Sequence, residues 1–466
     1  MVNNPVGKVL DGSTTREFNF VAGDYFQGDF VQLEMNYSGR KVTVVGEIVD
    51  KKAVNPYFER PTTFNYLSDK DESVRSWNLY IVTVRPIAAI SDGETSRVEF
   101  PPAPGTNVYS AEVELISSAL GLEREGIPIG FLRQLNTLRV HLAEAQLCRT
   151  HFSVLGRTGS GKSYLTKGLL KSIRGRNIVV FAPTDEYNEI AGEINAQILS
   201  KDDLLLPLNS SYIASVFGLS LQEQILFERF MKKEESLTDK KRISNQEIAV
   251  GISSSIRAGF QQTEQATLPG MKGDTERFTT LERANRFPST IVTKLMSKSV
   301  LFSQRPTQVP FPKSTIIDMS GLDQDSQEVI MMYALSNLLE SYRNKEKRMD
   351  YPDLIIVIEE AHSFAPSIQT TACKNKIIQL AREGRKLGIA LCLVSQRPRH
   401  FDQTVLSQCG TLFVFHTPHP EDVEHIFGVS PIYRRDLLDS VRELAVGECL
   451  VLGEAVKYPL LCSVSL

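Results

Sequence analysis

Short apolar runs alternate with stretches of helical spacing from about residue 136 onward. The runs that have the length and composition of buried strands are Phe152–Leu155, Ile178–Phe181, Thr315–Asp318, Leu354–Ile358, Ile389–Val394 and Thr411–Phe415. A strand that is apolar along its whole length is buried on both faces, and a repeated strand-then-helix order places helices on both sides of a parallel sheet. The pattern therefore predicts an α/β domain over 136–466.

Residues 1 to about 135 follow a different pattern. Phe30–Met35 and Lys41–Val49 are β-rich segments separated by a turn at 37–40, and Asn78–Val84 adds another strand. Because no long helical stretch interrupts these segments, we expect a small β-barrel over 1–135. The proline-rich segment Phe100–Gly105 is expected to be a rigid connector that leads out of the barrel.

The alternation of apolar runs and helical stretches is interrupted between about 187 and 300. Three stretches there have helical spacing, Leu221–Phe230, Glu247–Phe260 and Thr279–Lys298, and a charged segment follows the first of them. This region predicts a mostly helical insertion in the α/β domain.

The octapeptide that follows the run at 152–155 matches G-x-x-x-x-G-K-[ST] in full and is followed by a helix-like stretch. It comprises Gly156, Arg157, Thr158, Gly159, Ser160, Gly161, Lys162 and Ser163. Glycines in such a turn let successive backbone N–H groups face a polyphosphate, the lysine adds positive charge, and the hydroxyl can bind Mg²⁺. The motif predicts a phosphate-binding loop with Lys162 on the phosphates and Ser163 on the metal.

Two carboxylates, Glu359 and Glu360, end the run at 354–358. At the tip of a buried parallel strand, Glu359 is placed to hold Mg²⁺ through its water shell and Glu360 to take a proton from the water that attacks the γ-phosphate. The alternative, two solvated acids at the start of a helix, stays open on this pattern alone.

Polar residues around the next strand are further candidates. Gln396 follows the run at 389–394 and could hydrogen-bond the attacking water or the γ-phosphate, unless it belongs to a plain turn before Pro398. Arg382 and Arg385 lie just before that run, where they form either a solvated helix face or a subunit surface that reaches a neighbour's γ-phosphate.

Composition fits a large enzyme of the cytoplasm. The chain has 466 residues, 42% hydrophobic and 23% charged, with a net charge of -3, so a nucleic-acid partner would require locally concentrated cations. The six cysteines include no C-x-x-C pair and lie mostly in apolar runs, which predicts buried reduced thiols. Neither a signal-peptide pattern nor an apolar segment of about 18 residues is present, so we expect no membrane span.

Taken together and in this order, these segments resemble the HerA family of hexameric DNA-translocating ATPases, in the HerA/FtsK superfamily. The resemblance also includes Leu406–Cys409 and a closing segment from Gly447 to Pro459. It implies a RecA-like P-loop core, a HAS-barrel-like N-terminal domain, and ATP and Mg²⁺ as cofactors. It makes Glu359 and Glu360 the Walker B pair, Gln396 the sensor, and Arg385 the arginine acting in trans, with Arg382 beside it. The implied ATP-binding set is Gly156, Thr158, Gly159, Ser160, Gly161, Lys162, Ser163 and Tyr164.

The sequence departs from the family pattern at two places. Relatives often carry an acidic residue in a D-P-H-G-E-Y stretch, where this chain has Ala182, and Asp185 is the residue considered as its substitute. Little sequence follows the last predicted hairpin, so a long C-terminal brace between subunits is not expected.

The function implied by the resemblance is an ATP-driven homohexameric helicase or translocase that moves duplex DNA through a central channel. Its expected partner on the barrel face is either a NurA-type nuclease in DNA repair or a sirtuin-like NAD-consuming effector in anti-phage defence. The alternatives are an ATPase scaffold that gates an effector without moving DNA, and a coupling or secretion motor, which the absence of a membrane segment disfavours.

Cations that could hold DNA phosphates occur in two local groups. Lys374 and Lys376 follow the strand that ends at Glu359, and the second group lies in the predicted insertion: Lys232, Lys233, Lys240, Lys241 and Arg242. Either group could instead be ordinary solvated surface.

Overall fold

The computed structural model describes residues 4–23, 26–37, 39–55, 78–122, 125–207, 243–244, 301–303, 307, 313–344, 351–430, 432 and 434–466. These residues form two compact units. The first comprises residues 1–143 and 451–465, and the second comprises residues 144–450 and 466. The three predicted helices of the insertion and its five cations lie outside the described residues. The start of the predicted insertion is described and is not helical as expected, because strands lie at Ala196–Leu199 and Leu205–Pro207. The domain boundary near residue 135 stays a prediction.

The first unit begins with a closed antiparallel barrel and continues with a helix and a hairpin. Its elements are β1 (Gly7–Val9), β2 (Phe18–Ala22), β3 (Phe30–Tyr37), β4 (Arg40–Val54), β5 (Leu79–Ser91), β6 (Glu94–Ser96), β7 (Asn107–Ser110), α1 (Val113–Leu120), β8 (Ile127–Leu132) and β9 (Leu135–Leu142). The strand order is β2-β1-β7-β3-β4-β5, and pairing of β2 with β5 closes the ring. The predicted N-terminal barrel is therefore confirmed.

The interior of the barrel is apolar because alternate residues of its strands point inward. Phe18, Phe20 and Ala22 of β2 are buried while the residues between them are only partly covered, and they pack with Leu33 and Val84 from β3 and β5. This alternation is the period-two pattern of a half-buried strand.

One expectation about the barrel is wrong. The segment 100–105 has no regular secondary structure, but it does not lead out of the barrel, because β7 follows it and pairs with both β1 and β3. Without β7 the ring would stay open between these two strands.

The second unit is built on a parallel sheet. Its strands are β10 (His151–Leu155), β11 (Asn177–Ala182), β12 (Ala196–Leu199), β13 (Leu205–Pro207), β14 (Ile243–Ser244), β15 (Leu301–Ser303), β16 (Ser314–Asp318), β17 (Leu354–Ile358), β18 (Ile389–Ser395), β19 (Cys409–Phe415) and β20 (Glu448–Gly453). The main sheet runs in the order β12-β16-β11-β17-β18-β10-β19-β20, and neighbours from β12 to β19 are parallel. The short strands β13, β15 and β14 form a separate sheet.

Helices of the second unit connect these strands. They are α2 (Glu144–Leu147), α3 (Lys162–Ser172), α4 (Gln324–Arg343), α5 (Ala361–Phe364), α6 (Lys374–Glu383), α7 (Gln403–Leu406), α8 (Pro420–Val429) and α9 (Arg435–Glu443), with 3₁₀ turns at Asp185–Ile190, Gly384–Leu387 and Pro398–His400. Every residue of β10, β17 and β18 is buried. The predicted RecA-like α/β core is therefore confirmed, and the carboxyl ends of its central strands share one edge.

The last strand, β21 (Leu460–Val464), belongs to the first unit, where it pairs antiparallel with β8. The close approach of β21 requires a glycine at position 130, which has φ +138° and where a Cβ atom would lie 2.0 Å from the carbonyl oxygen of Ser463.

Candidate active site

The phosphate loop lies between β10 and α3 and is shaped by glycines with left-handed backbone angles. Gly156 has φ +144° and Gly161 has φ +113°. At Gly156 a Cβ atom would lie 2.6 Å from Cβ of Phe415, the last residue of β19. The loop can therefore turn this tightly against β19 only if residue 156 has no side chain.

Hydrogen bonds to neighbouring segments hold the loop in place. Its Arg157 N–H donates to the carbonyl of His416 at 3.0 Å, and the Gly447 N–H donates to the carbonyl of Ser160, also at 3.0 Å. The Arg157 carbonyl accepts from the Ser160 hydroxyl at 2.7 Å and from Lys162 Nζ at 2.9 Å. The loop is thus fixed by its own side chains and by the segments after β19 and α9.

Lys162, in the first turn of α3, is buried. Burial lowers the pKa of its ammonium, and the nearby carboxylates of Glu360, Glu359 and Glu186 oppose that shift. The structure thus brings together Lys162 and both acids predicted from the end of β17, although the two segments are about 200 positions apart in the sequence. The next residue, Ser163, is half-buried at the same helix terminus.

Glu359 is buried and has one strong hydrogen bond. Tyr187, in the 3₁₀ turn after β11, donates its hydroxyl to Glu359 Oε2 at 2.8 Å. Burial raises the pKa of Glu359 to about 7 despite that hydrogen bond and the positive charge of Lys162. A bound cation would stabilise a buried carboxylate of this kind, because the cation favours the ionised form.

Glu360 has an unusual backbone for a residue with a side chain, with φ +51° and ψ +42°. Its Oε2 atom lies 3.2 Å from Nδ1 of His362, and the backbone of Gln396 hydrogen-bonds the carboxylate. Burial raises the pKa of this carboxyl group, while Lys162 lowers it. A left-handed angle at a non-glycine residue costs about 1–2 kcal/mol, so the surrounding structure must hold Glu360 in this position.

Gln396 follows β18 and faces the phosphate loop. Its Oε1 atom accepts a hydrogen bond from the Thr158 hydroxyl. The predicted position of Gln396 beside the loop therefore agrees with the geometry, while its role as a sensor stays a prediction. Tyr164, the last residue of the predicted ATP set, is 54% exposed, and its hydroxyl donates to the carbonyl of Leu466 at 3.2 Å.

The two predicted arginines do not join this cluster. Arg382 is in the last turn of α6 and Arg385 is in the following 3₁₀ turn, and both are exposed at the amino end of β18, whereas Gln396 is at its carboxyl end. Burial lowers the pKa of His151 at the start of β10, and the positive charge of Arg385 adds to that shift. Both arginines therefore lie at the opposite edge of the sheet from their own phosphate loop.

His151 was not singled out by the sequence patterns, although it is a central connection in the core. Its Nδ1 accepts from the Leu391 N–H at 2.9 Å, and its Nε2 donates to the Ala381 carbonyl at 2.9 Å. Such a histidine is neutral and joins β10, β18 and α6. Local sequence spacing cannot reveal this role, because both hydrogen-bond partners of His151 are more than 200 residues away in the sequence.

The acidic residue that reaches the site after β11 is Glu186. Its charge is among the causes of the pKa shifts of Lys162, Glu359 and Glu360. The role of Asp185, the substitute considered from the sequence, stays a prediction. Ala182, at the end of β11, is fully buried.

Lys374 is engaged inside the protein. Its ammonium donates to the carbonyls of Pro366 and Gln369 and lies 3.0 Å from Oδ2 of Asp402, and only 13% of its side chain is exposed. The expectation that Lys374 is available to DNA phosphates is therefore wrong. Lys376 is partly exposed, and its contact with DNA stays a prediction.

None of the six cysteines forms a disulfide bond, and all six are buried, as predicted. Burial raises the pKa of Cys148 and Cys462 to about 12, so these thiols are protonated and unreactive. Within the described ranges no three His, Cys, Asp or Glu residues form a metal cluster. In the same residues, no helix is both long and apolar enough to cross a bilayer.

Comparisons with known proteins find similar sequences over most of the chain. Residues 127–339 match the family model described as helicase HerA, central domain. The DNA double-strand break repair helicase HerA of Pyrococcus furiosus is 26% identical, over 90% of this chain and 84% of that protein. The protein of the same name from Saccharolobus solfataricus is 28% identical, over 78% of this chain and 72% of that protein.

A solved structure supports the fold. VirB4 of Thermoanaerobacter pseudethanolicus aligns with a TM-score of 0.50 and 15% identity, over 74% of this chain and 97% of that one. At this identity the likeness concerns the fold alone.

Proposed function

We propose that the chain is a P-loop ATPase of the HerA helicase family and an ATP-driven motor that moves DNA. Two of its relatives are named for DNA double-strand break repair. The observation that carries the proposal is the cluster of Lys162, Glu359 and Glu360 beside the phosphate loop. A motor of this kind needs a site that couples phosphate binding to hydrolysis at one strand edge.

ATP and Mg²⁺ fit the residues present. The loop at 156–161 offers backbone N–H groups, Lys162 offers a buried positive charge, and the hydroxyl of Ser163 lies at the first turn of α3. Glu359, whose pKa burial raises to about 7, is suited to hold a hydrated cation, since a divalent ion would compensate its buried charge. When bound, Mg²⁺ would supply charge stabilisation to the phosphates.

Glu360 is proposed as the general base. Its carboxylate lies between the Gln396 turn and Lys162, where it would accept a proton from water, while Gln396 and Thr158 would orient the water or the γ-phosphate. A raised pKa brings a carboxylate closer to the value at which proton transfer is efficient near neutral pH. The backbone constraint at Glu360 fixes that group before substrate binds.

Arg385, with Arg382 beside it, is proposed to complete the site of a neighbouring subunit. The position of both arginines at the opposite sheet edge, exposed and away from their own phosphate loop, supports action in trans. A ring in which each subunit supplies an arginine to the next has heterologous contacts that close, and a homohexamer is our proposal. Passage of duplex DNA through its channel belongs to the same proposal.

The first experiment measures ATP binding and ATP hydrolysis with and without duplex DNA. We expect Lys162→Ala to abolish nucleotide binding, and Glu360→Gln to keep binding but lower turnover about 10²–10⁴-fold. Glu424→Gln serves as a control, because it removes an exposed acid on α8. Stimulation of the wild type by duplex DNA supports a motor, whereas a rate that ignores DNA favours the scaffold that gates an effector.

The second experiment tests the shared site. Arg385→Ala is expected to slow hydrolysis with little change in ATP affinity, and mixing it with Lys162→Ala subunits should restore part of the activity, because each variant supplies what its neighbour lacks. If mixed rings hydrolyse ATP no faster than either variant alone, Arg385 acts within its own subunit or has only a structural role. The NurA-type or sirtuin-like partner and the cytoplasmic location stay predictions.

A further inference from the structure

His362 connects the ends of β17 and β18 inside the active site. It lies on α5, directly after the carboxylate pair, and 10% of its side chain is exposed. Its Nδ1 atom is 3.2 Å from Oε2 of Glu360 and 3.2 Å from the hydroxyl of Ser395. The same hydroxyl accepts the backbone N–H of Arg397 at 3.2 Å. One imidazole nitrogen therefore faces both the carboxylate and the turn that carries Gln396.

The Glu360 oxygen that faces this imidazole is otherwise poorly satisfied. Oε2 of Glu360 is buried and has no well-formed hydrogen bond within the described part of the chain. A buried carboxylate oxygen without a donor is costly, and donors in active sites are often slightly long until substrate binds. The nitrogen at 3.2 Å is placed to act as that donor.

The imidazole meets the carboxylate as a neutral group. Burial and the positive charges of Arg397 and Lys162 lower the pKa of His362 to about 4. A neutral imidazole carries one proton, and the facing carboxylate oxygen favours the tautomer that has it on Nδ1. The contact is thus between a neutral imidazole and a carboxylate, and it is not an ion pair.

We propose that His362 is a positioning residue for ATP hydrolysis, whose Nδ1–H orients Glu360 and, through Ser395, fixes that carboxylate relative to Gln396. The proposal rests on the general-base role proposed for Glu360. Its physical basis is that Glu360 occupies a left-handed backbone conformation and needs an external contact to select one direction for its side chain. His362 would act before and during proton transfer without exchanging a proton itself.

Two amide variants test this geometry. The amide of asparagine reaches the place of Nδ1 in histidine, whereas the longer glutamine reaches the place of Nε2. We expect His362→Asn to keep kcat within about threefold, and His362→Gln and His362→Ala to lower it about tenfold to a hundredfold with KM unchanged, since a hydrogen bond to a charged group has this weight. Combining His362→Gln with Glu360→Gln should cause no further loss, because both changes remove one function.

Binding of a fluorescent ATP analogue and the midpoint of thermal unfolding are measured for every variant. Rescue by asparagine but not glutamine, with both quantities unchanged, supports the proposal. Equal activity of the asparagine and glutamine variants overturns it, as does a loss of kcat that follows a loss of folding. Wild-type turnover by Glu360→Gln would instead remove the proposed base, whereas an inactive Glu360→Gln beside a fully active His362→Gln refutes only the role of His362.

Discussion

Replacing Glu359 with glutamine should make the protein more stable while ending Mg²⁺-dependent ATP turnover. Glutamine has nearly the same shape, and its amide oxygen can still accept the hydroxyl of Tyr187, which lies 2.8 Å from Oε2 of Glu359. What the substitution removes is the buried negative charge. Active-site residues are often retained for chemistry at a cost in stability, and Glu359 is placed to be one of them.

The size of the gain follows from the raised pKa of Glu359. Burial raises it from 4.5 to about 7, and each pKa unit corresponds to about 1.4 kcal/mol. Because the folded pKa lies above the unfolded one, the carboxyl group destabilises the folded state progressively from about pH 4.5 to pH 7 and then by a constant amount of about 3 kcal/mol. Glutamine does not titrate, so the variant gains about 3 kcal/mol at pH 8 and under about 1 kcal/mol at pH 5.

The assay is urea unfolding at pH 5 and pH 8, with a chelator present and no nucleotide, followed by ATPase measurements with Mg²⁺. Glu424→Gln is the matched control, because it removes an exposed acid on α8 and should change unfolding at neither pH. A gain of equal size at both pH values, or a destabilised Glu359→Gln at pH 8, would refute the electrostatic reasoning.

Two further predictions concern the phosphate loop and the segment after α5. Gly156→Ala should abolish nucleotide binding and lower the unfolding midpoint, because its Cβ would collide with Phe415. Gly159→Ala should cost only about 1 kcal/mol of backbone strain, since a Cβ atom there meets no atom within 4 Å. Equal losses of stability for the two variants in calorimetry would contradict this prediction. Lys374→Glu should destabilise the protein by about 3 kcal/mol or more, since it breaks a mostly buried ion pair, while Lys376→Glu should leave the unfolding midpoint unchanged. Urea unfolding curves of both variants test this prediction. An unchanged unfolding midpoint for Lys374→Glu would show that the contacts of Lys374 are dispensable for stability.

The sequence was sufficient to predict the central strands and the residues at their carboxyl ends. Two segments are apolar throughout, Leu354–Ile358 and Ile389–Val394. An apolar segment of this length that is buried on both faces is best explained as a central strand of a parallel sheet. The loop at 156–163 follows a strand and begins a helix, and its side chains lie near Glu359 and Glu360 because parallel strands share an edge.

What the sequence did not predict depends on contacts between distant residues. Lys374 has the composition of a surface cation, but its partner Asp402 is 28 positions away and is brought near by the fold. The strand β7 is short and follows a proline-rich segment, so only its pairing with β1 and β3 identifies it.

The pairing of β21 with β8 has a consequence for synthesis on the ribosome. Roughly 300 residues separate the hairpin β8–β9 from the strand that completes its unit, and at 5–20 residues per second their translation takes about 15 to 60 s. During that interval the edge of β8 has no partner strand, although the barrel strands before it can already close. The nascent chain therefore carries an unpaired sheet edge while the whole ATPase unit is made, and this edge is where a chaperone would protect it from aggregation.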